Sequence, residues 1–216
     1  MQRRQVEVGK TRTRVLAAAR GLLLVKDFSG FSMEAVARKA DVSRLTVYYQ
    51  FESKAGLLEA LYDYIAKRGH MEELRSVFGH NHDPMVTLHD FILVFMRFWA
   101  WDRDVIRRLH ALGTIDPEVG KGLQARNERR RQGVRTIVER YSNVYRTLTS
   151  IQKPIAVDAI HMLTSFETFD ALSGSARSMD EVTAIVREHI NHAIGIVEQM
   201  PPARKAGFSP PMPKEP

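Results

Sequence analysis

FSMEAVARKADVSRLTVYYQFESK, residues 31–54, is the stretch whose reading decides the fold. Ser32 is a hydroxyl N-cap for a short helix in which Met33, Val36 and Ala37 share one face, while Glu34 and Arg38 lie off it. Ala37 is small enough for a close helix crossing. Ala40, Asp41 and Val42 form a turn, with Val42 filling the space between helices, and Ser43 caps a second helix that runs from Arg44 to Phe51. On that helix Val47 and Phe51, four residues apart, point inward and leave Arg44, Leu45, Thr46, Tyr48, Tyr49 and Gln50 outward. These are polar and aromatic groups where a packed helix would carry leucines, and the hydroxyls of two adjacent tyrosines outside a core suit phosphate oxygens. The pattern predicts a helix-turn-helix that presents the N-terminal end of its second helix to a DNA major groove.

Charge is distributed in the same sense. The 216 residues carry a net charge of +7, and residues 1–68 hold 13 Lys/Arg against 7 Asp/Glu, while the rest hold 19 against 18. The excess lies with the helix-turn-helix, so a polyanion is the expected partner. The absence of cysteine excludes a disulfide framework and thiolate metal sites and fits a cytoplasmic protein. No apolar run approaches the roughly 20 residues that a membrane span needs, and MQRRQVEVGK at the start has no apolar core of a signal peptide. No Gly-rich phosphate loop, nucleophile elbow or paired-carboxylate constellation occurs, so neither catalysis nor a cofactor is expected.

In these residues the chain resembles the TetR (tetracycline repressor) family, all-helical bacterial dimers that repress transcription and release DNA on binding a small molecule. TVYYQFESKAGLL, residues 46–58, is close to that family's T-[LV]-Y-x-H-F-x-[SN]-K-x-x-L-L. The resemblance implies that Arg44 and Leu45 face bases and that Thr46 contacts base or phosphate. It also implies that Ser32, Tyr48, Tyr49, Gln50 and Lys54 hold phosphates, and Ser43, the cap of the reading helix, belongs to the same DNA-facing set. Three positions depart from the pattern. Asp27 and Asp41 stand where the family usually has glycine, and Asp tolerates a left-handed backbone. Gln50 stands in place of the usual histidine and still donates.

Elsewhere the periodicity is helical, and the expected class is all-α: a three-helix DNA-binding domain over residues 1–68, with a basic arm over 1–10, then a helical effector and dimerisation domain over 69–200. The arm holds Arg3, Arg4 and Lys10, and with Arg12 and Arg14 it is placed to reach phosphate or the minor groove, a frayed terminus being the alternative for the first two. Helices are expected over residues 11–26, 54–78, 84–101, 102–112, 117–141, 155–172 and 179–199, with Asp83-Pro84 and Asp116-Pro117 as starts. The tail from Pro201 has six prolines in 16 residues and reads as disordered.

Residues 91–101 are the expected wall of an effector cavity, with Phe91, Phe95 and Phe98 on one stripe and Ile92, Met96 and Trp99 on the next, Met162, Phe166 and Phe169 facing them, and polar contacts from Trp101, His110, Tyr145 and His161. The resemblance places an inducer in the middle of this region; an aromatic stripe alone is more often core than pocket. The last two helices are striped on more than one side, which calls for a second partner, and a four-helix bundle with a symmetry mate provides it. Ile160, Leu163, Ile190, Ile194 and Val197 are the expected interface. His80 with His82, and His189 with His192, lack the other ligands of a metal site, and Arg129-Arg130-Arg131 reads as a solvated face. The expected function is a ligand-responsive repressor that binds a pseudo-palindromic operator as a homodimer. A ligand-insensitive regulator or activator, and a helical binding module without DNA contact, are the open alternatives.

Overall fold

A computed structural model describes residues 2–25, 31–79, 83–174 and 176–199, with the side chains of residues 2–5 left out. Asp27, His80, His82, the side chains of Arg3 and Arg4, and the tail from Pro201 therefore lie outside the described residues. Those described are all helix, turn and loop. Helix α1 (Gln2–Leu23) is followed by α2 (Met33–Lys39), α3 (Arg44–Phe51), α4 (Lys54–Arg68), a 3-10 turn at Met71–Glu73, α5 (Leu74–Val77), α6 (Pro84–Trp101), α7 (Arg103–Ile115), α8 (Pro117–Val144), α9 (Gln152–Leu163), α10 (Phe166–Ser173) and α11 (Met179–Gln199).

Helix α1 starts at Gln2, so the segment expected to be an arm continues the first helix. Val15, Leu16, Ala19 and Leu23 give it an inward stripe that packs on α2 and α4. Where one helix was expected over residues 54–78 there is a break: Gly69 closes α4, and His70 adopts a left-handed φ of 58°. A Cβ on Gly69 would lie 2.8 Å from Phe98 Cδ2, so α6 crosses there at a distance that only glycine allows. A second expected helix, over residues 155–172, is also two. The hydroxyl of Thr164 bonds back to the carbonyl of Ile160 at 2.8 Å as α9 ends, and Ser165 restarts the chain by accepting from the amide of Thr168 at 3.1 Å.

Helix α6 is the centre of the larger half. It is capped by Asp83, whose carboxylate accepts from the amides of Met85 and Val86, and Pro84 takes the first helical position. Leu88, Phe91, Ile92, Val94, Phe95, Met96, Phe98 and Trp99 are all buried, and a helix apolar on nearly every side needs neighbours all round. Those are α8, α10 and α11, with α5 at its start, while α9 closes the bundle against α8 and α11. The core is continuous from Val15 on α1 to Val197 on α11.

Polar links join the first four helices to the rest on two flanks. Arg20 on α1 makes a bidentate pair with the buried Asp102 between α6 and α7, Nε to Oδ2 at 2.6 Å and an Nη to Oδ1 at 2.9 Å. Arg108 on α7 donates to the carbonyls of Leu23 and Val25 at the end of α1. On the other flank, Arg126 on α8 lies 4.7 Å over the ring of Tyr62 and bonds Asp63 at 2.6 Å, both on α4.

Candidate nucleic-acid interface and effector cavity

The helix-turn-helix forms as its residues dictate. Ser32 Oγ accepts from the amide of Ala35 at 3.1 Å and Ser43 Oγ from the amide of Thr46 at 3.0 Å, so both helix starts have hydroxyl caps. Asp41 takes a left-handed φ of 52°, the geometry for which glycine is the usual choice. Val42 packs against the core, and Val47 and Phe51 are buried beneath α3. The step from α3 to α4 runs through Glu52 with φ 62°, and Ser53 Oγ caps α4 by accepting from the amide of Gly56 at 3.0 Å. A Cβ on Gly56 would lie 2.2 Å from the carbonyl oxygen of Phe51, so the fit of α4 under α3 depends on that glycine.

Of the predicted DNA-facing residues, Ser32, Ser43, Arg44, Leu45, Tyr48 and Tyr49 are exposed and Thr46, Gln50 and Lys54 are half-buried. Leu45 is 78% and Tyr49 87% exposed, and both stand out from α3 beside Arg44 and Tyr48. The Arg44 guanidinium sits 5.3 Å from the Tyr48 ring centroid and reaches its hydroxyl at 3.5 Å. Thr46 Oγ1 lies 2.8 Å from Ser43 Oγ, which ties the two hydroxyls at the start of α3 together. Lys54, in the first turn of α4, holds its ammonium 5.9 Å from the Phe31 ring. Gln50 is half-buried, and its Oε1 is buried without a partner among the described residues, which leaves Nε2 as the available donor. Arg12 and Arg14 are engaged within the chain: Arg12 donates to the Gln50 carbonyl at 3.0 Å and stacks 4.5 Å over Phe51, and Arg14 donates to the Asp41 carbonyl at 3.4 Å. They brace the motif from α1.

The larger half contains a cavity of about 500 Å³ between α4, α5, α6, α7, α8 and α10, within the range that drug-sized ligands occupy. Of the expected lining residues, Phe95, Trp99, His110 and Phe166 are present. They pack as a ring cluster, with Trp99 5.5 Å from Phe166 and His110 4.9 Å from Phe166, and the Trp99 indole donates to the Thr164 carbonyl at 3.0 Å. The others lie elsewhere. Met96 and Phe169 are buried in packing away from the cavity, because each lies on a different face of its helix from its lining neighbours. Met162 is 61% exposed on the opposite face of α9; Tyr145 is exposed and donates its hydroxyl to Asp83; Trp101 points outward. His161 stands behind the wall as a partner of Arg130.

Phe91 and Phe98, on the expected stripe of residues 91–101, line the cavity as well, whereas Tyr62, Phe78 and Arg130, which also line it, were missed by sequence reasoning. Arg130 is the largest correction, since it is only 6% exposed where a solvated face was expected. It donates to the carbonyl of His161 at 2.5 Å, to Thr164 Oγ1 at 2.8 Å and to Asn127 Oδ1 at 2.6 Å. Burial pulls its pKa down to about 10. A signal existed: Arg130 lies four residues before Val134 and seven before Ile137, on the buried stripe of α8. At the cavity edge Glu167 pairs with His110 at 2.9 Å, and that bond holds its carboxyl down at about 2.

The expected dimer residues also need correction. Ile160, Ile190, Ile194 and Val197 are buried inside the chain, where α9 and α11 pack on α6 and α8; only Leu163 reaches the outer face. That outer face carries instead Met162, Ala159, Ala193 and Ile196, with His189 and His192 along a shallow groove. Among the described residues no group of three or more His, Asp or Glu side chains is arranged to hold a metal ion.

Residues 15–61 match the family model described as bacterial regulatory proteins, tetR family. Among curated proteins, the HTH-type transcriptional regulator UidR of Escherichia coli K12 is 38% identical over 61 residues, which cover 28% of this chain and 31% of that protein. The HTH-type transcriptional regulator AlkX of Mycobacterium tuberculosis is 46% identical over 48 residues, 22% of this chain and 23% of that one. The matched stretch thus spans less than a third of either relative. Among solved structures, NalD, the secondary repressor of the MexAB-OprM multidrug efflux pump in Pseudomonas aeruginosa, superposes with a TM-score of 0.67 at 24% identity, over 87% of this chain and 96% of that one. A TetR-like transcriptional regulator from Rhodococcus sp. RHA1 gives 0.66 at 19% identity, over 86% and 96%. These are likenesses of fold, and they extend well past the stretch matched in sequence.

Proposed function

Taking this chain as a member of the tetR family of bacterial regulatory proteins, we propose that it is a ligand-responsive transcriptional repressor, binding a pseudo-palindromic operator as a homodimer and released by a small apolar or aromatic effector. The observation that carries this is α3: eight residues whose apolar pair Val47 and Phe51 is buried, with Arg44, Leu45, Tyr48 and Tyr49 turned outward from a hydroxyl-capped start. Arg44 and Leu45 read bases in this proposal, Thr46 contacts base or phosphate, and Ser32, Ser43, Tyr48, Tyr49, Gln50 and Lys54 position the backbone. Residues 1–68 act as the DNA-binding domain and 69–200 as the effector and dimerisation domain.

Dimerisation is supported by the outer face of α9 and α11, where Met162 and Ile196 are 61% and 57% exposed around a shallow apolar groove. A second copy covering that face forms a four-helix bundle and sets two α3 helices one DNA turn apart, about 34–36 Å. Among the described residues no helix is long and apolar enough to cross a membrane.

The test begins with genomic fragments selected by the purified protein at moderate salt. A palindromic motif with half-sites one helical turn apart is expected, and equal retention of random DNA overturns the reading. Met162→Asp with Ile196→Asp should give monomers of native helicity that have lost operator binding, and dimers that persist in this pair of substitutions overturn the interface.

A further inference from the structure

Arg130 and Tyr62 give the cavity a chemistry that its aromatic wall alone does not disclose. The Arg130 guanidinium is buried, yet every acceptor it reaches is neutral: the His161 carbonyl and ring, Thr164 Oγ1 and Asn127 Oδ1. Among the described residues no carboxylate lies within ion-pair distance of it. As a strut pinning α8 to the corner between α9 and α10 it needs only donors, and Glu167 favours its charge through space without pairing with it, so the cost of burying that charge is only partly offset. Tyr62 on α4 is 8% exposed and lines the same cavity. Its ring packs on Phe98 at 5.8 Å and under Arg126 at 4.7 Å, contacts that phenylalanine would serve equally. Its hydroxyl has no hydrogen-bond partner among the described residues, and burial raises its pKa, so it remains a donor.

The carboxylates in the wall are already engaged. Asp63 is bound by Arg126 at 2.6 Å and Glu167 is hydrogen-bonded to His110 at 2.9 Å, and both carboxylates are 70% exposed at their side chains, so neither gives a cationic ligand an unengaged buried anion. Arg129, at the cavity's edge, has no carboxylate partner among the described residues. The wall therefore offers a buried positive charge, a phenolic donor and a long aromatic surface.

We propose that the effector is an amphipathic carboxylate, its acid group received by Arg130 and the Tyr62 hydroxyl and its apolar body laid along Phe91, Phe95, Phe98 and Trp99. This rests on the reading of the cavity as the effector site. It also gives the signal a route, because Tyr62 belongs to α4, the helix whose start carries Lys54 beside the DNA-facing surface.

The experiment uses the full chain and four probes: 8-phenyloctanoate, its primary amide, the corresponding trimethylammonium compound, and decanoate as an acid without a ring. Binding is followed by tryptophan fluorescence and operator retention in the same titrations. The acid is expected to bind roughly tenfold or more tighter than the amide, and the ammonium more weakly than either. Decanoate reports whether an alkyl body suffices. Tyr62→Phe should lower the acid-to-amide affinity ratio about threefold to tenfold while leaving amide affinity unchanged, a result that a packing role would not produce. Arg130→Gln should bring the ratio close to one, and since this change also removes a strut, Tyr62→Phe stands as the independent variant. Equal affinity for acid and amide, a tighter ammonium, a ratio unmoved by Tyr62→Phe, or no binding of any probe overturns the proposal. Acid binding that leaves the operator bound keeps this assignment and instead removes the coupling from the repressor reading.

Discussion

In the helix-turn-helix the apolar groups point into the core and the groups proposed to work on DNA point away from it, whereas around the cavity the same aromatic side chains are both core and lining. Val47 and Phe51 hold α3 in place, and Arg44 or Tyr49 can change without touching them. Phe95 and Trp99 have no such separation: they are buried against each other at 5.7 Å and also form the cavity wall. Support and function are separable in the first region and merged in the second. Substitutions of DNA-facing residues should therefore change binding at constant stability, while most cavity substitutions change both.

The sharpest way to break this comparison is to attack the support of the first region. Gly56→Ala places a methyl group 2.2 Å from the Phe51 carbonyl, a backbone atom that cannot rotate away. The α3–α4 step must open, at a cost of roughly 3 kcal/mol by the usual penalty for overpacking, and α3 loses its orientation. Operator affinity should fall more than about a hundredfold while probe binding in the cavity is retained. A variant that binds operator normally would show that α3 is positioned by something other than α4.

Next in size is the link between the regions. Asp102 is buried and Arg20 is 39% exposed at its side chain, so the two halves of this ion pair are unequal. Arg20→Met strands a buried carboxylate and should destabilise the protein by about 2–3 kcal/mol, the exposure of Arg20 discounting the full penalty of a buried pair. Asp102→Asn leaves Arg20 free to turn to water and should cost about 1 kcal/mol. Urea denaturation of both variants measures the difference. Equal losses would mean that Asp102 gains its stability from groups other than Arg20.

The same contrast explains what the sequence could tell. The helix-turn-helix was legible because its information is local: caps three residues from their amides, an inward pair four apart, and a left-handed Asp41 all fall within 24 residues, and the structure reproduces each of them. Helix classes and most boundaries in the larger half follow from stripes in the same way. The cavity did not follow, because its wall comes from six helices between Tyr62 and Glu167, and periodicity identifies a buried face without saying what lies opposite. Met96 and Trp99 read as one stripe, yet only Trp99 meets the void. For α9 and α11 the two-sided striping was visible, but which stripe faced the chain's own core was not. The break at His70 goes with the close approach of α6 beside Gly69, which is distant in sequence, whereas the break at Thr164–Ser165 is made by local bonds that the stripes do not show.

Of intermediate effect are two substitutions within the DNA-facing surface that sharpen the comparison from inside. Arg44→Ala should cost roughly 1–3 kcal/mol on operator and relax preference at one or two symmetric positions, as the loss of a guanidinium reading a base edge would. Lys54→Ala should weaken operator and random DNA alike and lower the slope of log K against log salt by about one. Binding selections and salt titrations separate the roles. An unchanged motif for Arg44→Ala, or an unchanged slope for Lys54→Ala, would reverse the respective assignments. Neither variant should shift the urea midpoint, since both side chains lie outside the core.

The smallest expected effect is an acid response confined to the cavity side. Glu167 and Asp170 both lie on α10. His110 holds the first at about 2, and Arg107, with help from Arg103, holds the second below its usual value. A carboxylate whose pKa is lower folded than unfolded adds stability that is fully present above the unfolded value, near 4.3 for Glu and 3.9 for Asp, and is lost as pH falls toward the folded one. The contact of α10 with α7 should therefore loosen between about pH 4 and pH 2, and not on the alkaline side. Glu167 is 70% exposed at its side chain, so the energy is small, but Trp99 lies 6.4 Å from the His110 ring and will report it. Tryptophan emission should shift in that window before far-ultraviolet helicity declines, and Glu167→Gln should reduce the shift. A shift complete above pH 4.5, or one unaltered by Glu167→Gln, would mean that the His110–Glu167 pair does not hold α10 to α7, and that the wall of the cavity is as separable from its support as the face of α3.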